Sequence, residues 1–208
     1  GGRIIAAIPK TYVPNYNEFY EKRWWSSGMD VSTPVKIAGQ TTELSPRQII
    51  KAGAAEIGIE ICEDLWTPIP PSSHTALCGA NVLLNLSASN DLIGKYRYLT
   101  DLIKQQSARC IAAYVYAGAG FGESSTDLVF DGKAIIAENG SIISTSERWC
   151  KSPSYTLADI DIDALNRDRI HTGSFHDCAK TEQSPEYKII EVPDRNTYRH
   201  NADHLIRT

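Results

Sequence analysis

Apolar and polar residues fall into two rhythms along the chain, and each rhythm predicts a type of element. The mostly apolar run Ala55–Ile61 halts in Glu63, Asp64, Pro68 and Pro70, which reads as a short strand that leaves Cys62 at its edge. Shorter runs over residues 3–8, 81–86, 113–117, 127–130, 133–137 and 141–144 read as further strands, with Glu138-Asn139-Gly140 turning the last pair into a hairpin. A different spacing joins Tyr96, Leu99, Leu102, Ile103, Gln106, Cys110 and Ile111. It predicts a long amphipathic helix over residues 95–112, with Lys104 and Arg109 on its polar face. Residues 72–80 follow a Pro-Pro stop and open on two serines, so they predict a short serine-capped helix. Strands thus alternate with helices, which predicts an α/β domain of mixed sheets with helices outside.

Composition narrows the functional classes. The 208 residues suffice for one domain with a real core, and 42% hydrophobic with 22% charged content is ordinary for a globular chain. A net charge of −4 with scattered lysines and arginines offers nucleic acid no basic face. No apolar run reaches the length of a membrane span, and no cleavable leader is visible, so a cytoplasmic protein is expected. The cysteines, at 62, 78, 110, 150 and 178, are odd in number and lack CxxC spacing, which predicts reduced thiols. Histidines form no HExxH pair, and four of the five (His171, His176, His200, His204) fall in the polar C-terminal stretch, so no metal site is expected. The glycine loop 118–122 follows a strand but opens no helix and has no Lys-Ser pair, which makes it a tight turn, not a phosphate cradle.

Two residues carry candidate chemistry. Cys62 stands where a strand ends, the place where loops bring side chains to a site. Lys10 stands at the end of the strand-like Arg3-Ile-Ile-Ala-Ala-Ile8 segment. An ammonium beside a thiol favours the thiolate. It can also stabilise the oxyanion of a tetrahedral intermediate, together with the backbone N–H that follows the nucleophile, here that of Glu63. Read alone, Cys62 is a small buried hydrophobe and Lys10 a surface lysine; their pairing is what matters.

The segments PKTYVPNYNEFYEKRWW, GIEICEDLWTPIPPSS, GANVLLNLSASN, QSARCIAAYVYAGAGFGESSTDLVF and IIAENGSII run in order from about residue 4 to about residue 148. Together they resemble the carbon–nitrogen hydrolases of the nitrilase superfamily, and within it the glutaminase domains of glutamine-dependent NAD synthetases. The resemblance implies a four-layer α-β-β-α sandwich, of which this chain would form a part. It also implies a catalytic glutamate, lysine and cysteine. The lysine maps to Lys10 and the nucleophile to Cys62, while the glutamate lies upstream of the lysine in the family and has no match after Gly1. An N-terminally truncated domain, slow or inactive by itself, is therefore expected, since a general base contributes about 10²- to 10⁴-fold. Glu18 is a supporting residue for the lysine or the substrate, with Glu21 as the competing choice; both could equally pair with Lys22 and Arg23 on a solvated loop.

Tyr16, Glu63, Trp66 and Ser89 match positions that line the glutamine pocket in the resembled domains, and Lys95 is a candidate for the substrate carboxylate. Packing is the competing role for Trp66, and strand termination for Ser89. The implied reaction is hydrolysis of the glutamine amide through a cysteine thioester, with no cofactor. The ammonia would serve a ligase domain, in cis or in trans, which alone would use ATP; no Ser-Gly-Gly pyrophosphate loop occurs here. Residues 1–160 would form the hydrolase domain and 161–208 an extension toward the ligase, with homo-oligomers implied by the family's C-terminal tails. A stand-alone amidase or carbamoylase, and a non-catalytic remnant binding through bare edge strands, are the alternatives.

Overall fold

A computed structural model describes residues 2–120, 122–123, 128–182 and 186–193. Its centre is a seven-stranded mixed sheet. In chain order the strands of the molecule are β1 (Thr33–Ile37), β2 (Gln40–Leu44), β3 (Gln48–Ala52), β4 (Ala55–Ile61), β5 (Val82–Ser87), β6 (Ala113–Gly118), β7 (Ala134–Glu138), β8 (Ser141–Thr145) and β9 (Lys188–Val192). The sheet runs β8-β7-β6-β5-β4-β3-β9, while β1 and β2 form a separate antiparallel hairpin. At its middle, β4, β5 and β6 are parallel, with Ile61 level with Leu86 and Leu86 with Ala117. Three chain segments therefore end side by side at one edge of the sheet.

Side chains alternate across these strands, so the sheet has two faces. On one lie Glu60, Leu83, Asn85, Tyr114 and Tyr116, all buried beneath helices α1 (Pro71–Leu77) and α2 (Lys95–Cys110). Leu99 and Ile103 of α2 and Ala76 of α1 complete that core. The other face carries Ile57, Ile59, Ile61, Val82 and Leu84, only partly covered, and Leu86, 61% exposed. One sheet with one helix layer is a part of the α-β-β-α sandwich that the resemblance implies.

Helices α3 (Ile162–His171) and α4 (Gly173–Thr181) follow, and Asp161 caps α3 by accepting the Ala164 N–H at 2.9 Å. Arg169 of α3 is buried and donates to the carbonyls of Gly79, Ala80, Cys110 and Ile111 at 2.7–3.2 Å. It thereby satisfies carbonyls that the ends of α1 and α2 leave open.

Most predicted elements lie within a few residues of those observed, and three differ. Residues 3–8 form no strand: Ala7 makes one bridge to Leu44, exchanging bonds with Glu43 and Ser45, and no second rung follows. Residues 128–130 are not a strand, and Asp127 lies outside the described residues. The first helix starts at Pro71 and has no serine cap; proline at its first position needs none, since its missing N–H is one of the orphans. The hairpin turn is as expected, with Asn139 and Gly140 both at positive φ (44° and 86°), the geometry that glycine permits. For the glycine loop, the Glu123 N–H closes a turn onto the Gly120 carbonyl, with Phe121 outside the described residues.

Candidate active site

Cys62 follows the last residue of β4 and opens a 3₁₀ turn, Cys62–Trp66. Its φ of 51° is unusual for a residue with a Cβ, and such strain costs about 1–3 kcal/mol unless the surroundings hold it. Two contacts do so. The Cys62 N–H donates to Asn85 Oδ1 of the neighbouring β5 at 3.2 Å. The buried Asp64 carboxylate turns back to accept the Ile61 N–H at 2.9 Å.

Asp64 also brings in the second chain segment, accepting the N–H groups of Tyr12 at 2.7 Å and Thr11 at 3.4 Å. Lys10 is thus delivered to the site by a carboxylate of the nucleophile's own turn. Behind it, the Gly28 N–H donates to the Lys10 carbonyl at 2.9 Å, and a Cβ on Gly28 would come within 2.3 Å of Pro9. Only glycine fits that approach. Burial pushes the Asp64 carboxyl up, opposed by its three backbone donors and by the charge of Lys10.

Several of the predicted site residues converge on the turn that Cys62 opens. Lys10 Nζ pairs with Glu21 Oε2 at 2.6 Å, so of the two loop carboxylates it is Glu21 that reaches the lysine. Glu18 instead accepts from Asn90, whose Oδ1 accepts from Lys95 Nζ at 2.7 Å. Lys95, at the start of α2, lies 5.1 Å from the Trp66 ring centre and 5.9 Å from that of Phe19. Burial lowers its pKa, while the proximity of Cys62, Glu18 and Glu63 raises it. Tyr16 donates its hydroxyl to Glu63 at 2.9 Å, and burial pushes the Glu63 carboxyl up in spite of Tyr16 and Lys10. Ser89 is buried beyond β5, against the Tyr116 hydroxyl. A cavity of about 670 Å³ opens alongside, lined among others by Tyr12, Tyr16, Trp25, Met29 and Glu63.

Sequence reasoning missed several supports. Asp64 was legible only as a strand stop, and Asn85 and Asn90 only as polar residues near a strand end. A second polar cluster flanks the site at the start of β7. There the buried Lys133 pairs with Asp131 at 2.7 Å and with Asp91 at 3.7 Å, while Arg148 bridges both carboxylates. Among the described residues, no group of three or more His, Cys, Asp or Glu side chains could hold a metal. No described helix is long and apolar enough to cross a membrane.

Comparison with known proteins places this geometry. No family model matches the chain. Solved structures of similar fold include a carbon–nitrogen hydrolase from Helicobacter pylori G27, with TM-score 0.58 and 17% identity over 78% of this chain and 54% of that one. The likeness is one of fold, with Cys62 at the end of the central strand β4 and the Lys10 segment tied to the same turn through Asp64.

In sequence, the chain is similar to part of proteins named glutamine-dependent NAD(+) synthetase. It is 41% identical over 179 residues to the enzyme so named from Mycobacterium tuberculosis, and 42% identical over 180 residues to that from Mycobacterium leprae; each alignment covers 85% of this chain and 26% of the relative. The synthetase structure from Cytophaga hutchinsonii superposes with TM-score 0.62 at 26% identity, over 72% of this chain and 24% of that one. The chain spans about a quarter of the length of the curated relatives it matches.

Proposed function

We propose that this domain hydrolyses the side-chain amide of glutamine and supplies the ammonia to the ligase domain of a glutamine-dependent NAD synthetase. The observation that carries the reading is the gathering of Lys10 and Lys95 about Glu63, next to Cys62, on a chain 41% identical to such synthetases. A carboxylate and an ammonium near a thiol suit the α-amino and α-carboxylate ends of an amino acid. Trp66, with Tyr98 packed on it at 5.5 Å, offers a wall for the methylenes.

The Cys62 thiolate attacks the amide carbonyl, and the negative charge that develops on oxygen is met by Lys10 and the Glu63 N–H. The C–N bond then breaks, nitrogen takes a proton and leaves as ammonia, and a thioester remains on Cys62. Water adds to the thioester, the C–S bond breaks, and glutamate and the thiol are released. Glu21, bonded to Lys10, fixes the ammonium, and Glu18 acts through Asn90 on Lys95. No residue from 2 to 9 bears a carboxylate, so the general base that the resemblance implies is not supplied by that segment.

The glutaminase step needs no cofactor, and ATP belongs to the ligase. Residues 1–160 are the hydrolase domain in this reading and 161–208 the extension leading onward; α3 and β9 pack that extension onto the body. Five free thiols accord with a reducing cytoplasm, and assembly into homo-oligomers is part of the same proposal.

Turnover of an amide panel by the protein containing this domain tests the reading. Glutamine is the preferred substrate, ammonia and glutamate form in equal amounts, and Cys62→Ala abolishes both. Preference for a simple aliphatic amide, or full activity of Cys62→Ala, contradicts it.

A further inference from the structure

Beneath Cys62 runs a buried polar chain that the chemistry above leaves unused. The Cys62 N–H donates to Asn85 Oδ1 at 3.2 Å, and Asn85 Nδ2 donates to the Tyr114 hydroxyl at 3.1 Å. Tyr114 donates to Glu60 Oε1, and the Ser72 N–H donates to Glu60 Oε2 at 2.9 Å. Asn85, Tyr114 and Glu60 are at most 2% exposed. A carboxyl buried so deeply with no ion pair among the described residues is costly, and burial pushes its pKa up.

The two ends of this chain constrain the direction of the bonds between them. Both ends are backbone N–H groups, which can only donate. Between two donors, a row of side chains that each accept on one side and donate on the other cannot close; one member must accept on both sides. The carboxylate of Glu60 is that member. It makes Tyr114 donate toward it, makes Asn85 point its amide nitrogen at Tyr114, and so leaves the Asn85 oxygen for Cys62. We propose that Glu60 is a positioning residue: through Tyr114 and Asn85 it fixes an acceptor on the Cys62 N–H and holds the left-handed turn that presents the thiol.

Its consequence for catalysis rests on the glutaminase reading, but the bond order does not. With Glu60→Gln, the one remaining oxygen must face Ser72, so the new amide nitrogen faces Tyr114. Tyr114 would then have to accept from both amide nitrogens with its own buried O–H unmet; reversal of Tyr114 and Asn85 avoids that and sets an Asn85 N–H against the Cys62 N–H, donor against donor. The pair Glu60→Gln with Asn85→Asp restores the order, because a carboxylate at position 85 accepts on both sides.

The test compares wild type, Glu60→Gln, Asn85→Leu and the double variant Glu60→Gln/Asn85→Asp in the full chain. Amide hydrogen exchange at Cys62 is read first, with no glutamine present. Exchange is expected to quicken about tenfold or more in Glu60→Gln and in Asn85→Leu, the loss expected of an unmet buried donor, and to slow again in the double variant. Asn85→Leu leaves the bonds among Glu60, Tyr114 and Ser72 in place, so it reports even where Glu60→Gln does not fold. Wild-type exchange in Asn85→Leu, or a double variant no better than Glu60→Gln, overturns the proposal.

Labelling of Cys62 by a glutamine-like diazo-ketone is read second. Its maximal rate falls about tenfold in both single variants and recovers in the double, while the half-saturating concentration stays. Equal rates in all four proteins refute the catalytic role; absence of labelling in wild type instead refutes the glutamine reading and leaves the exchange result standing.

Discussion

Nucleophile and cation reach the site on segments held in opposite ways. Cys62 ends a central strand, with parallel neighbours on one side, helices beneath and a buried hydrogen-bonded chain under its own N–H. Lys10 arrives on a segment that belongs to no strand, fastened by one bridge at Ala7, the Gly28 N–H and the Asp64 carboxylate. The strand supplies a fixed position for the atom that forms a bond. The loop supplies a charge whose placement depends on a few polar contacts. Damage to the first should appear as lost stability, and damage to the second as lost reactivity in a protein that still folds.

The largest separation of the two is expected from Lys10→Met. Lys10 pairs with Glu21 on a half-buried loop, so the melting temperature should stay near wild type, while the rate of Cys62 acylation falls about 10²- to 10³-fold. Unfolding at the same temperature as acylation is lost would place Lys10 among the structural residues instead.

On the sheet side, Asp131→Asn leaves the buried Lys133 only its longer ion pair with Asp91 at 3.7 Å and should cost about 3 kcal/mol in denaturant unfolding at neutral pH. Burial pushes the Asp131 carboxyl up, yet the bonds and charges of Lys133 and Arg148 outweigh it and hold the group below the ordinary 3.8. A lowered carboxyl pKa contributes stability above 3.8 and loses it as pH falls through the folded-state value. The gap between wild type and variant should therefore shrink below about pH 4; a gap that widens there contradicts the assignment.

Asp64→Asn joins the two regions and costs less stability than Asp131→Asn. It keeps one acceptor oxygen for three backbone donors, so about 1–2 kcal/mol is lost, while acylation of Cys62 slows more than that figure implies, because the Thr11–Tyr12 segment is released. Stability loss without any change in acylation would show that Lys10 is held from elsewhere.

What could be read from the sequence follows the same division. The strand Ala55–Ile61, the long helix and the hairpin are written in local periodicity, and the structure places them within one or two residues. Cys62 was legible because a strand visibly stops there. Strands β1, β2, β3 and β9 were not, since five-residue runs such as TPVKI and QTTEL carry too few apolar positions to show a period. Residues 3–8 misled for the converse reason: the run is apolar, yet only Ala7 pairs with a strand and Ile5 is 38% exposed. The choice between Glu18 and Glu21 depended on the 3₁₀ turn Glu21–Arg23, which aims Glu21 at the lysine and has no clear signal in the chain. Glu60 and Asn85, two strand residues that point inward, became visible only when the register put them under Cys62.

The most direct test of the account is stoichiometric labelling of the folded chain by a glutamine-like diazo-ketone, with the modified residue mapped by mass spectrometry. The account predicts one label per chain, on Cys62, prevented by glutamine and not by a simple aliphatic amide. Labelling elsewhere, or labelling of Cys62 that glutamine does not prevent, would contradict the claim that Cys62, Lys10 and their neighbours form a glutamine site.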